Sequence, residues 1–111
     1  MSIGTTNFTF KRGDTFTTTV RFRPSKDGIQ SLNGASITSK VKDYKSSYFD
    51  MTCTLAVDEM SFVVTASSDI TKNFSLGLAK WDARIEIGGT VMHTPTLVFA
   101  VVDEVTQTPT T

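Results

Sequence analysis

Hydrophobic and polar residues alternate without interruption from Thr15 to Arg23. Phe16, Thr18, Val20 and Phe22 share one phase, and the opposite phase carries threonine and arginine. A period of two is the pattern of a β-strand with one buried face and one solvated face. The same period recurs in three later segments, which are 35–42, 49–55 and 81–87. These segments predict an all-β protein, built as a sandwich or a barrel.

Shorter apolar segments and turn residues complete the predicted strand order. Arg12-Gly13-Asp14 predicts a hairpin or corner, and Gly88-Gly89 predicts a two-residue hairpin turn. Strands joined by connections this short are expected to pair antiparallel. Additional strands are predicted at Asn7 to Lys11, at Ser61 to Ala66 and within Thr90 to Val105. The predicted core takes the inward phase and contains Phe16, Val20, Phe22, Ile37, Val41, Met51, Leu55, Phe62, Val64, Trp81, Ile85, Val98 and Val102.

Two segments depart from simple alternation. Leu97 to Val102 is apolar in both phases, which predicts a strand that is central in the sheet, or one that another subunit covers. Pro95 cannot donate to a strand ladder, so it predicts a bulge, an edge or a switch between sheets. Ser67 to Phe74 carries helix-capping residues and predicts one or two helical turns.

The length of 111 residues fits a single domain. We expect a flexible N-terminal segment at 1–6, a β-sandwich domain at 7–105 and a flexible tail at 106–111. Lys and Arg total 11, as do Asp and Glu, so no excess of positive charge favours nucleic acid. No segment is apolar enough to predict membrane insertion, and the N-terminus lacks the features of a secretory signal. The expectation is synthesis in the cytoplasm.

The sequence offers little catalytic chemistry. His93 is the only histidine and Cys53 the only cysteine, so no intrachain disulfide forms. The strand phase of Cys53 predicts a core position. The acidic pairs Asp58-Glu59 and Asp103-Glu104 are expected to be solvated at strand ends. We therefore predict a non-enzymatic protein without a cofactor or a metal site.

Tyr44 and Tyr48 flank a polar connection between two predicted strands. If their rings are exposed, they offer a platform on which sugars stack; if buried, they close one end of the core. A carbohydrate-binding module is therefore an alternative function from a different class.

Five short motifs follow one another in a defined order. They are Phe10-Lys11-Arg12-Gly13-Asp14-Thr15-Phe16-Thr17, Leu32-Asn33-Gly34-Ala35-Ser36-Ile37, Ser68-Asp69-Ile70-Thr71, Trp81-Asp82 and Thr94-Pro95-Thr96-Leu97-Val98-Phe99. In this order and spacing, from Phe8 to Val105, the chain resembles small immunoglobulin-like β-sandwich virion proteins of tailed bacteriophages. That group includes the N-terminal domains of baseplate upper proteins and related tail or neck components.

The resemblance implies an antiparallel immunoglobulin-like β-sandwich of about seven or eight strands with one short helical turn. It also implies a structural component of the tail, baseplate or neck, made in the host cytoplasm and located in the virion. The expected partners are other phage structural proteins and further copies of the chain in a symmetric assembly, with no nucleic acid and no membrane. A capsid decoration protein is the alternative within the same class. The resemblance implies no catalytic residues.

The unbroken apolar run suggests where such contacts are made. We expect the interface to include the first strand and the segment Thr94 to Val105. The candidate interface residues are Phe8, Phe10, Leu97, Val98, Phe99, Val101 and Val102.

Overall fold

The computed structural model describes residues 8–24 and 28–105. The predicted N-terminal segment 1–6 and the predicted tail 106–111 lie outside these ranges. The described chain forms eight strands and one short helix. In chain order these are β1 (Phe8–Lys11), β2 (Phe16–Arg21), β3 (Ser36–Lys42), β4 (Tyr48–Leu55), β5 (Ser61–Ala66), α1 (Ser68–Thr71), β6 (Gly77–Ile87), β7 (Thr90–His93) and β8 (Leu97–Val102).

The strands form one sheet that curls into a half-barrel, which confirms the all-β prediction. Their order is β1-β8-β6-β3-β4-β5-β2, and β7 pairs with β6. The strand β4 changes partner along its length, because residues 48–51 pair with β3 and residues 52–55 pair with β5. This change of partner allows the sheet to curl around a single core.

Three pairs of consecutive strands form the expected antiparallel hairpins. The pairs β3–β4, β4–β5 and β6–β7 are all antiparallel. In the β6–β7 hairpin, Ile87 faces Thr90 across Gly88 and Gly89, whose φ angles are 56° and 82°. Two residues with positive φ match the twist of the flanking strands, which is why a glycine pair suits this position.

The antiparallel rule is wrong for β1 and β2, which are the two terminal strands of the sheet order. β1 runs parallel to β8, with Phe8 opposite Phe99, whereas β2 pairs with β5. Arg12-Gly13-Asp14 is therefore a corner. The Asp14 N–H donates to the Lys11 carbonyl at 3.1 Å, and the Arg12 N–H donates to the Val102 carbonyl at 2.9 Å. The second bond ties the corner to β8, and β1 follows β8 instead of folding back on β2.

Aromatic rings fill the space between the two ends of the curled sheet. The Phe16 ring centroid lies 5.5 Å from that of Phe10, 5.7 Å from Phe99 and 6.2 Å from Trp81. These rings connect β2 to β1, β8 and β6, and no backbone ladder joins β2 to any of these three strands in the described chain. The buried apolar residues are Phe10, Phe16, Leu32, Val41, Met51, Phe62, Val64, Ala66, Phe74, Ala79, Trp81, Ala83, Ile85, Phe99 and Val101.

The predicted core was wrong in the phase of the last strand. Phe99 and Val101 are buried, whereas Val98 and Val102 lie on the opposite face and are only partly buried. A run that is apolar in both phases gives no signal of which phase points inward. Its central position is confirmed, since β8 lies between β1 and β6. Four predicted core residues are partly buried and pack against the core: Val20, Phe22, Ile37 and Leu55.

The two other irregular features take defined forms. The helix α1 is a single turn, as expected. Pro95 lies in an interruption between β7 and β8, both of which pair with the edge of β6 that β3 leaves free. Thr94 bridges the break, because its hydroxyl accepts the Ala83 N–H at 2.9 Å and its N–H donates to the Ala83 carbonyl at 2.9 Å. The chain therefore continues along the same strand and does not switch partners.

The ring cluster predicts unequal effects of truncation at neighbouring positions of β8. Phe99 is 0% exposed and contacts three other rings, so Phe99→Ala should lower the free energy of unfolding by about 3–5 kcal/mol. Val98→Ala, on the outward face, should lower it by about 1 kcal/mol or less. Urea unfolding of both variants tests this, and equal losses would contradict the assigned phase of the strand.

Candidate interaction surfaces

The predicted interface residues divide between the two faces of the sheet. Phe10, Phe99 and Val101 are buried inside the domain, so their side chains are not free to contact a partner in this structure. Phe8 is partly exposed at the rim of the core and stacks on Phe99 with ring centroids 4.9 Å apart. Leu97 packs against the core. Only Val98 and Val102 lie on the outward face.

The outward face of β8 carries an apolar stripe. Its members are Leu78, Val98, Ala100 and Val102, and we call this set the outer stripe. Leu78 of β6 lies opposite Ala100 and is 48% exposed. Next to it, β1 ends the sheet with no further strand paired to it among residues 8–24 and 28–105. The other three members are partly buried. A partly exposed apolar stripe beside an open strand edge is a surface suited to contact with protein.

A cleft of ≈ 310 Å³ lies along the opposite terminal strand, β2. Phe8 and Leu97 form one wall of this cleft, and Thr17 and Thr18 belong to the other. Trp81 also lines it, and the buried indole N–H of Trp81 has no acceptor among the described residues. Like β1, the strand β2 ends the sheet order, so both terminal strands present an open edge within the part of the chain that the structure describes.

A row of side chains crosses the outward face of four adjacent strands. The cross-strand pairs are Lys42 with Tyr48, Lys42 with Lys80, and Lys80 with Val98. We call the set Tyr48, Lys42, Lys80 and Val98 the lysine row. The Lys42 ammonium lies 5.6 Å from the centre of the Tyr48 ring, within range of a cation–π contact. Neither lysine forms an ion pair with a carboxylate of the described chain.

The neighbouring row has a different charge pattern. Lys40 lies opposite Asp50 on β4 and opposite Asp82 on β6, and it forms an ion pair with Asp50. Opposite charges therefore alternate in this row, whereas the lysine row places two ammonium groups on directly paired residues. Like charges opposite one another destabilise a strand pair. The lysine row is thus a local electrostatic cost that its neighbour avoids.

Tyr44 lies beside the lysine row and covers a glycine. The side chain is 67% exposed, and its ring rests on the backbone of Gly77. A Cβ added to Gly77 would lie 2.7 Å from the Cγ of Tyr44, and the φ of Gly77 is +123°. Glycine permits both the backbone conformation and the close approach of the ring.

A buried carboxylate fixes the loop that carries Tyr44. Asp43 is 4% exposed, and its carboxylate accepts backbone N–H groups from Lys45 at 3.0 Å, Ser47 at 2.9 Å and Ser75 at 3.0 Å. Burial by itself raises the pKa of Asp43, but these hydrogen bonds to the charged form outweigh it, and the pKa lies below its ordinary value. Asp43 therefore joins the loop between β3 and β4 to the segment before β6.

The remaining predicted residues lie apart from one another. Cys53 is half-buried against the core, where burial raises the pKa of its thiol. His93 is exposed on β7. The Asp58 carboxylate accepts the Met60 N–H, and Asp103 pairs with Arg12 at 2.9 Å. Within 8–24 and 28–105, no three His, Cys, Asp or Glu residues are grouped as metal ligands would be.

No helix in the described ranges is both long enough and apolar enough to cross a membrane. Comparison of the chain with protein-family models and with curated proteins gave no match.

The sequence pattern singles out Tyr44 and Tyr48 but not Lys42 and Lys80. The two lysines are 38 positions apart, and only the register of β3 against β6 makes them neighbours. Both tyrosines prove to be exposed, at 67% and 62%, and do not close the core. The signal available in the sequence was the outward phase of each lysine in its own strand.

The hydrogen bonds of Asp43 predict an acid-dependent stability. Because the pKa is lowered in the folded state, the stabilisation is complete above the ordinary value of 3.8 and is lost as pH falls through the lower folded pKa. Asp43→Asn should lower the free energy of unfolding at neutral pH by about 1–3 kcal/mol and should flatten its decline in acid. Urea unfolding at a series of pH values tests this. An unchanged acid profile in the variant would contradict the role of Asp43.

The contact between Tyr44 and Gly77 predicts a difference between two glycine substitutions. Gly77→Ala combines an unfavourable φ with a clash against the Tyr44 ring, whereas Gly88→Ala has a φ of +56° and no atom within 4 Å of the new Cβ. Gly77→Ala should therefore lose more stability than Gly88→Ala, in which strain alone costs about 1–3 kcal/mol. Thermal unfolding of the two variants compares their losses of stability. Similar losses would show that the Tyr44 ring moves aside at little cost.

Proposed function

We propose that the chain is a non-enzymatic structural component of a tailed-phage virion that acts through protein contacts in a symmetric assembly. The observation that carries the proposal is the outer stripe, which lies beside the open edge of β1. Apolar side chains on the outward face of a sheet contribute little to an isolated domain and favour association. Repeated weak contacts of this kind become durable when symmetry closes the assembly.

The strand pairing supports an immunoglobulin-like sandwich as the finer description of the fold. Such a sandwich packs strands two, five and four against strands three, six and seven. Here β2, β5 and β4 are neighbours in the strand order, and so are β3, β6 and β8. The two groups meet at β4, where this strand changes partner from β3 to β5. In this description β7 is an added hairpin strand on β6.

The motifs behind the phage resemblance occupy distinct positions in this architecture. Arg12-Gly13-Asp14 forms the corner between the two terminal strands, and Leu32 is buried at the turn before β3. Trp81 lies in the ring cluster on β6. At these positions the motif residues shape the turns and the core.

The open edges of β1 and β2 suit contacts made by strand addition. An extended segment of a partner can pair with a free edge and place its side chains in the adjoining cleft. The cleft along β2 has apolar and hydroxyl walls, which match the side chains of a β-strand. Contacts of this kind would serve a tail, baseplate or neck component and equally the alternative, a capsid decoration protein.

The proposal predicts that the protein occurs in symmetric copies in the native particle. Cryo-electron microscopy of the virion from the genome that encodes this chain should reveal its β-domain at the tail, baseplate or neck. Density on the capsid surface would assign the decoration role. A complete, well-resolved particle without a copy would overturn the proposal.

Substitutions on the outer stripe test the contact surface itself. Val98→Asp and Val102→Asp place a charge on an outward, partly buried position, so each variant should remain folded and fail to assemble. Thr54→Asp provides the control, because Thr54 is exposed on β4, far from β8 in the strand order. Circular dichroism measures folding, and incorporation into particles measures assembly. If both valine variants fold and assemble normally, the interface lies elsewhere.

A further inference from the structure

We infer that Lys42, Lys80, Tyr44 and Tyr48 form a binding site for an anionic carbohydrate. The site combines two paired ammonium groups with exposed aromatic rings on either side. It lies on the outward face of β3, β4 and β6, and the inference does not depend on assembly into a virion.

The two lysines carry positive charge that no ion pair compensates in the described chain. Lys42 and Lys80 are opposite one another, and neither forms an ion pair in the described ranges. The one carboxylate that follows Lys42 directly, Asp43, is buried and accepts three backbone N–H groups. A bound anion would relieve the repulsion between the two ammonium groups and accept hydrogen bonds from both. The site is thus suited to a carboxylate or a phosphate.

The surface around the two lysines forms a groove. Two clefts of ≈ 240 Å³ and ≈ 250 Å³ meet at Lys42 and Lys80, which line both. Tyr48 borders the first cleft and Tyr44 borders the second. The result is a shallow groove with a tyrosine at each end and Lys42 and Lys80 in the middle. Lys40 and Asp82, which are cross-strand partners, also line the first cleft, and Asp43 lines the second. A sugar chain fits such a groove, because the C–H face of a pyranose ring packs on an aromatic ring while its hydroxyls remain solvated.

The tyrosines are held in place although they are exposed. Tyr44 rests on Gly77, and the loop that carries it is fixed by Asp43. Tyr48 lies in β4 and is held against the Lys42 ammonium. Rings ordered before a ligand arrives lose little conformational freedom on binding, which favours affinity. An acidic peptide would use the lysines but would not require two ordered aromatic surfaces.

Titration by NMR or calorimetry with trigalacturonate and with a phosphorylated oligosaccharide tests the inference on the full chain. Binding of either supports the site, and the stronger one identifies the anionic group. Binding should weaken as NaCl rises from about 0.05 to about 0.5 M, because screening shortens the reach of the lysine charges. Neutral maltotriose should bind more weakly than either acidic sugar, as should inorganic phosphate.

Matched variants locate the binding. Lys80→Gln and Tyr48→Ala should each weaken the affinity for the acidic sugar by roughly tenfold or more. Lys11→Gln should leave it unchanged, since Lys11 is an exposed lysine on β1. The thermal unfolding midpoint of Lys80→Gln in low salt should not fall, because the substitution removes a like-charge pair. An unchanged or higher midpoint shows that weaker binding reflects a lost contact with the sugar and not a destabilised fold.

Several results would overturn the inference. They are no detectable binding of the acidic sugars at millimolar concentration, equal affinity for maltotriose, equal affinity for hexaglutamate, and unchanged affinity in Lys80→Gln. Equal affinity for hexaglutamate would instead assign the surface to acidic protein segments.

Discussion

The curled sheet depends on the packing of aromatic rings between its two ends. No backbone ladder joins β1 to β2 in the described chain, and the single cysteine excludes an intrachain disulfide. The Phe16 ring instead contacts Phe10, Phe99 and Trp81, which belong to three strands on the other side of the core. Dispersion and the removal of apolar surface from water therefore hold the two ends of the curled sheet together. Dispersion contributes only if the rings are closely packed.

This dependence explains why the inner and outer faces differ in what they tolerate. On the inward side, Ala79 and Ala83 are fully buried beside Trp81, so a larger side chain there would displace the rings. On the outward side, the same strand carries Leu78, Lys80 and Asp82, which the core does not constrain. The outward positions are thus available for recognition, and the proposed contacts and the proposed sugar site both lie there.

Sequence patterns predicted local elements well and long-range partners poorly. Alternation located β2, β3 and β6, because each has one dry face, and the glycine pair fixed the β6–β7 hairpin. The parallel pairing of β1 with β8 has no local signature, since it depends on a corner hydrogen bond between Arg12 and Val102. The phase of β8 could not be predicted either, because both faces are apolar. The pairing of Lys42 with Lys80 likewise arises from register, and only the outward phase of each lysine can be read from the sequence.

The charge pattern of the outer face carries information that the fold alone does not require. In the neighbouring row, two residues along β3, Lys40 lies between Asp50 and Asp82. A lysine on the outward face of β3 therefore carries little electrostatic cost when its cross-strand partners are acidic. An acidic residue in place of Lys80 would have compensated the charge of Lys42 in the same way. The lysine row instead retains two adjacent cations and Tyr48, and Tyr44 covers Gly77 beside it. The cation–π contact with Tyr48 offsets part of the repulsion at Lys42 but leaves Lys80 without a partner in the row, and the proposed anionic ligand would supply the negative charge that the row lacks.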